Sequence, residues 1–237
     1  MALALDGETR VLVLTGAGVS AESGVPTFRG IDGLWEGNRV EEVASPEGFA
    51  KDPKLVWRFY SLRREAALKV SPNPGHVALA KLEQRMGERF FLATQNVDGL
   101  HVRAGSHRLV TMHGELFESK CVSCQKPFAD SKTYFDTLPK CETCGDAVRP
   151  NIVWFGEMLD PAHLQRISSY IAAAGKKLLF LAVGTSGNVH PAAGLVDEVK
   201  AIGGTSWLID VDPTAHYAPR FDRVIAGKSG EILPGLI

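Results

Sequence analysis

Val11-Leu12-Val13-Leu14-Thr15 runs without a break into Gly16-Ala17-Gly18-Val19-Ser20-Ala21-Glu22-Ser23-Gly24. The first five residues read as a short, fully buried strand. The glycines that follow read as a tight turn opening a helix, the layout of a phosphate-binding βα turn. Comparable apolar runs recur at Phe90–Thr94, Leu178–Val183, Trp207–Val211 and Val224-Ile225. Such strands are continuous rather than alternating, which predicts a parallel sheet covered on both faces. Helical patterns lie between them at His76–Met86, Pro161–Ala174 and Ala192–Ile202. The expected fold is therefore α/β, a Rossmann-like doubly wound parallel sheet.

Two stretches break the alternation. From Asp32 to about Val70 there is one helical pattern, Pro53–Val70, and no expected strand; Leu116 to about Pro150 shows little periodicity. The expected organisation is a Rossmann-like nucleotide-binding domain of residues 1–34, 71–115 and 151–237. A smaller lobe combines a helical insertion, residues 35–70, with a cysteine module, residues 116–150. A ligand cleft between the two is the natural consequence.

Composition narrows the class. The 237 residues carry 26 Lys+Arg against 27 Asp+Glu, a net charge of −1. That balance does not support electrostatic capture of nucleic acid. No apolar run is long enough to span a bilayer, and the start MALALDGETR lacks the basic and apolar regions of a signal peptide. A cytoplasmic monomer, without nucleic-acid or membrane partners, is the expectation. The only cysteines are the pairs Cys121/Cys124 and Cys141/Cys144. Two CxxC knuckles can complete a tetrahedron of thiolates around zinc, closed to water and hence structural. Two disulfides would need an oxidising compartment, and redox dithiols would not explain the clustering. Acidic and basic residues balance within Leu116–Pro150, so this module does not look like a nucleic-acid binder.

Three further clusters carry candidate chemistry. Ser23–Gly30, with Pro26, Phe28 and Arg29, reads as a loop that lays an aromatic ring and a guanidinium over a ligand. Thr94-Gln95-Asn96-Val97-Asp98-Gly99-Leu100-His101 follows a buried strand, where α/β sheets place ligand contacts; an ordinary Asn/Asp turn is the plainer alternative. His113-Gly114 closes another strand and suits a general base near neutral pH, although a lone histidine is more often structural.

Taken in order, Gly16–Ser20, Gly24–Gly30, Gln95–Asp98, His113-Gly114, the four cysteines, Val153–Glu157 and Gly184–Ser186 resemble the sirtuins across nearly the whole chain. The resemblance implies an NAD-dependent protein-lysine deacylase with one structural zinc. It implies that the acyl oxygen attacks C1′ of the nicotinamide ribose, that His113 activates a ribose hydroxyl, and that O-acyl-ADP-ribose and free lysine leave. By the same resemblance His113 and Asn96 are catalytic. The cofactor would touch Gly16, Ala17, Gly18, Ser20, Ala21, Phe28, Arg29, Trp35, Gln95, Asn96, Val97 and Asp98. It would also touch Gly184, Thr185, Ser186, Asp210, Val211, Asp212 and Ser229. Val153, Phe155, Gly156 and Glu157 match a strand that pairs with the acyl-lysine peptide by β-augmentation.

Two departures from the commoner pattern point to a subgroup. The loop reads Pro26-Thr27-Phe28-Arg29, with threonine where aspartate is usual, and Tyr60 and Arg63 stand one helical turn apart. A phenol and a guanidinium together suit a carboxylate. The pair resembles class III sirtuins, which implies removal of succinyl and malonyl groups ahead of acetyl. A plain deacetylase, or a mono-ADP-ribosyltransferase on the same NAD site, is the alternative. After Gly184–Ser186 the chain reads Gly187-Asn188-Val189-His190-Pro191, an unusual continuation for the family.

Overall fold

The structure, a computed structural model, describes residues 3, 5–26, 34–35 and 37–237, with Leu34 and Trp35 described by backbone alone. Strand β1, Arg10–Thr15, feeds helix α1, Ala17–Ala21, through Gly16. A two-residue hairpin follows, β2 Leu34–Trp35 with β3 Asn38–Arg39, and then α2 Val40–Val43, α3 Pro46–Lys51 and α4 Pro53–Lys69. Ser45 and Asp52 cap α3 and α4, and each helix carries proline at its start, where a missing N–H costs nothing. The hairpin and the two short helices were not expected, because none is long enough to show a period.

Helix α5, Pro74–Met86, starts at a capping box in which Asn73 and His76 bond each other's backbone. β4 Phe90–Thr94, α6 Leu100–Arg103 and β5 Leu109–Thr111 continue the first half of the large domain. The stretch with little periodicity then forms an antiparallel sheet, β6 Gly114–Cys121, β7 Pro127–Ala129 and β8 Val148–Ile152. Its strands mix charged and apolar residues and bend at a register shift between Gly114 and Ser119, which hides any alternation from the sequence. α7 Pro161–Ala174, β9 Leu178–Val183, α8 Leu195–Ala201, β10 Thr205–Asp210, β11 Arg223–Ala226 and α9 Ser229–Leu236 complete the chain.

The large sheet runs β11-β10-β9-β1-β4-β5, all parallel. This is the doubly wound order, with its reversal between β1 and β9. Alternate residues of β1 serve opposite faces. Leu12 and Leu14 pack with Ile167, Ile171 and Val196, whereas Val11 and Val13 pack with Leu79, Leu82 and Leu233. A third core unites the small lobe: Val56, Trp57, Phe59 and Tyr60 of α4 meet Leu116, Val148, Ile152 and Trp154.

Candidate active site

The strand order reverses where β1 and β9 end, and each strand is followed at once by a glycine. Gly16 N–H donates to Val183 O at 3.1 Å and Gly18 N–H to Gly184 O at 2.9 Å. Gly184 has φ +60, and a Cβ there would lie 2.4 Å from Val19 N. Only glycine permits two backbones to approach so closely. The amides of Gly16, Gly18 and Val19 are thus engaged within the protein, Val19 N–H donating to Gly16 O.

Gln95, just past β4, ties this corner to the histidine. Its backbone N–H donates to Thr15 O, and its side-chain amide donates to Thr185 Oγ1 at 3.0 Å. Its own carbonyl meets Nδ1 of His113 at 3.1 Å. A carbonyl can only accept, so the proton sits on Nδ1 and the lone pair on Nε2. Burial pushes the His113 pKa down while the Gln95 carbonyl opposes the shift, which keeps the ring neutral near pH 7.

Asn96 is buried; its amide donates to Gly16 O at 3.0 Å and Ser20 Oγ at 3.1 Å. Both donors therefore organise the glycine turn. Asp98, also buried, accepts the Leu100 N–H at 2.8 Å and so starts α6. Beneath them the rings of His76 and His101 lie 4.7 Å apart, reaching Ser20 Oγ and Thr15 Oγ1. Burial lowers their pKa values to about 4 and about 3, with Asp98 and Glu22 opposing the shift at His76.

On the far side, Asp210 is buried at the end of β10 and accepts the Asp212 N–H, while Val211 is exposed. Ser229 is buried and its hydroxyl donates to Glu22 at 2.6 Å, so that side chain caps the approach of α1 to α9. Phe28 and Arg29 lie outside the described residues, as does the side chain of Trp35.

The small lobe reaches this corner through backbone bonds. Val153 N–H donates to His113 O at 2.9 Å and Phe155 N–H to Ala44 O at 3.0 Å. The stretch from Val153 to Glu157 was expected to be a strand; β8 ends at Ile152, and Glu157 N–H turns back to Trp154 O. The physical reason is Arg149, whose guanidinium takes the Glu157 carboxylate through two bonds, 2.6 and 2.9 Å, and pulls the segment into a turn. Gly156, at φ +87, permits the reversal. Tyr60 is fully buried, and its oxygen accepts the indole N–H of Trp154 at 2.9 Å. Desolvation pushes the Tyr60 pKa up to about 12. Arg63 is half-buried, its guanidinium 5.5 Å from the centre of the Phe59 ring.

The four cysteine sulfurs lie within 4.8 Å of one another. Separations such as 3.5 Å for Cys121 to Cys144 and 4.0 Å for Cys124 to Cys141 bracket the edge of about 3.8 Å that Zn–S bonds of about 2.3 Å require. The donor set fits a structural zinc, which would fasten β6 to the loop before β8.

The sequence pattern of the Sir2 family matches residues 16–191. The NAD-dependent protein deacylase 2 of Pyrobaculum aerophilum is 47% identical over 226 residues, 95% of this chain and 89% of that protein. The chain belongs to the Sir2 family. Among solved structures, a Sir2 homologue–NAD complex is 45% identical, covers 96% of this chain and 88% of its own, and superposes with a TM-score of 0.87. A Sir2 protein bound to acetylated peptide is 29% identical, covering 95% of this chain and 91% of its own, with a TM-score of 0.81. The present sirtuin is, with its relatives, an NAD-dependent protein deacylase. Among its described residues no helix is long and apolar enough to cross a membrane.

Three features of this sirtuin escape sequence reading. Arg64, beside Arg63, is fully buried, pairs with Asp130 at 3.2 Å and donates to the carbonyls of Leu116, Lys132 and Glu118. The His76–His101 contact joins α5 to α6, and the Trp154–Tyr60 bond spans 94 residues.

Proposed function

We propose that this sirtuin removes acidic acyl groups, succinyl and malonyl, from lysine in preference to acetyl. The observation that carries the reading is the placement of Tyr60 and Arg63 on α4, with Tyr60 bonded to Trp154, the neighbour of a residue that bonds His113. The indole uses a lone pair of the phenol oxygen, so the phenol proton is available to donate. Its raised pKa keeps that proton in place throughout the neutral range. A half-buried guanidinium one turn away supplies the charge a carboxylate needs, and an acetyl group would offer it nothing.

Bound NAD supplies an electrophilic ribose carbon once nicotinamide departs. His113 is suited to take the proton of a ribose hydroxyl at Nε2, because Gln95 holds Nδ1 as the donor. Asn96, Asp98, the glycine turn from Gly16 to Ala21, Gly184–Ser186 and Asp210–Asp212 form the proposed cofactor bed, with Phe28, Arg29, Trp35 and Ser229. The substrate peptide would lie along Val153, Phe155, Gly156 and Glu157. The amides of Val153, Phe155 and Glu157 are already engaged, so a peptide there would pair chiefly through the carbonyls of Val153, Phe155 and Gly156.

The test compares kcat/KM on succinyl- and acetyl-lysine peptides for the wild type and Arg63→Met. A hydrogen-bonded charge of about 1.5–3 kcal/mol translates to roughly a tenfold to hundredfold succinyl preference, lost in the variant while acetyl turnover persists. Equal turnover of both peptides by the wild type would exclude the reading. A gain of ADP-ribose mass on the peptide would instead reveal transferase activity.

A further inference from the structure

The clamp around Trp154 has a job that packing alone does not need. Its indole is buried, flanked by Phe49 at 5.5 Å between ring centres, and the Arg149 guanidinium lies 3.4 Å from its ring centre. Arg149 is fixed in turn by Glu157 and by Ile152 O at 2.8 Å. The second oxygen of Glu157 accepts the backbone N–H of Trp154 at 2.8 Å. Backbone and ring of this one residue are therefore both held. What the clamp presents is a single N–H, aimed at a single buried oxygen, that of Tyr60.

A phenol can donate one hydrogen bond and accept others. An unattended phenol rotor can turn its proton towards any nearby acceptor, and a ligand must then compete for it. An indole can only donate. Its N–H at the phenol oxygen forces the O–H to point elsewhere. We propose that Trp154 is a positioning residue for acyl recognition: its clamped indole N–H fixes the Tyr60 phenol as a donor towards an acidic acyl group. This rests on the acidic-acyl reading above and names a residue through which that selectivity acts. Trp154 does not touch the acyl group; it acts through Tyr60.

Trp154→Phe tests the role narrowly. A phenyl ring keeps an aromatic face for Arg149 and keeps the backbone N–H for Glu157, and it removes the indole donor together with part of the indole's buried volume. The expected result is a rise in KM for succinyl-peptide of roughly threefold to tenfold, the range of one neutral hydrogen bond, with kcat and the acetyl-peptide KM unmoved. In a Tyr60→Phe background the same substitution should move the succinyl KM no further. Equal losses on both peptides, or an undiminished effect in the Tyr60→Phe background, would overturn the proposal. A wild type without succinyl preference would defeat the acyl reading itself; a selective wild type whose selectivity survives Trp154→Phe defeats only the role given to Trp154.

A second measurement needs no change at Trp154. Among the four tryptophans, one indole 15N–1H resonance should shift on replacing Tyr60 by Phe. In the wild type the same resonance should shift on adding succinyl-peptide and not acetyl-peptide. Absence of the succinyl-induced shift would also overturn the proposal.

Discussion

Strand β9 buries six apolar side chains in succession, whereas the small lobe buries a guanidinium against a carboxylate and gathers four thiols. The large sheet is held by area removed from water, a force without direction that many hydrocarbon arrangements satisfy. The small lobe adds to its own apolar core partners that must meet in register: Arg64 with Asp130, Ser119 and three carbonyls, Arg149 with Glu157, and the cysteines with a metal. The lesson is a division of labour. In the proposed reading, the apolar half keeps the cofactor bed rigid, and the directional half fixes the donors that would tell one acyl group from another.

Removing the metal should break the comparison most severely. Structural zinc contributes on the order of 10 kcal/mol in small modules. A strong chelator is therefore expected to abolish deacylation and release one zinc, while circular dichroism shows that most helix and strand signal of the large domain persists. Loss of both together would show that the lobes do not differ as described.

Next comes Arg64→Met. Leaving Asp130 buried without its partner costs about 3–5 kcal/mol, read by denaturant melts. Arg64→Met with Asp130→Leu should recover much of that loss, since the penalty belongs to the orphaned charge. By contrast Leu181→Ala in β9 is a cavity mutation, costing about 2–5 kcal/mol, with no comparable partner to restore it.

The pH effect falls on the large domain and is spread over several pH units. His76 and His101 titrate at about 4 and about 3 when folded, against 6.5 for an ordinary histidine. Below pH 6.5 the unfolded chain binds protons that the folded one refuses, so stability rises with pH across this window. Their contribution is complete above 6.5 and is lost as pH falls towards 4 and 3. Melting temperature should drop over that range, and a His101→Gln variant should flatten the drop.

How much could be read from the sequence follows the same division. The strands at Val11–Thr15, Phe90–Thr94 and Leu178–Val183, and helix Pro161–Ala174, stand out because uninterrupted hydrocarbon or a clean helical period marks them locally. The four cysteines and His113 stand out because their chemistry is rare and their spacing is informative. Arg64 does not, since its partner is 66 residues away and an adjacent arginine looks the same. The turn at Val153–Glu157 was mistaken for a strand because Arg149 bends an otherwise β-like segment through side-chain bonds. The β6–β8 sheet was missed because its strands carry charges on buried and exposed faces alike.

The most direct test of the acyl preference is a competition. Succinyl- and acetyl-lysine versions of one peptide, at equal concentration with limiting NAD, are given to the wild type, and the O-acyl-ADP-ribose products are weighed by mass spectrometry. The arrangement of Tyr60, Arg63 and Trp154 predicts that O-succinyl-ADP-ribose predominates. A product mixture dominated by O-acetyl-ADP-ribose would contradict it.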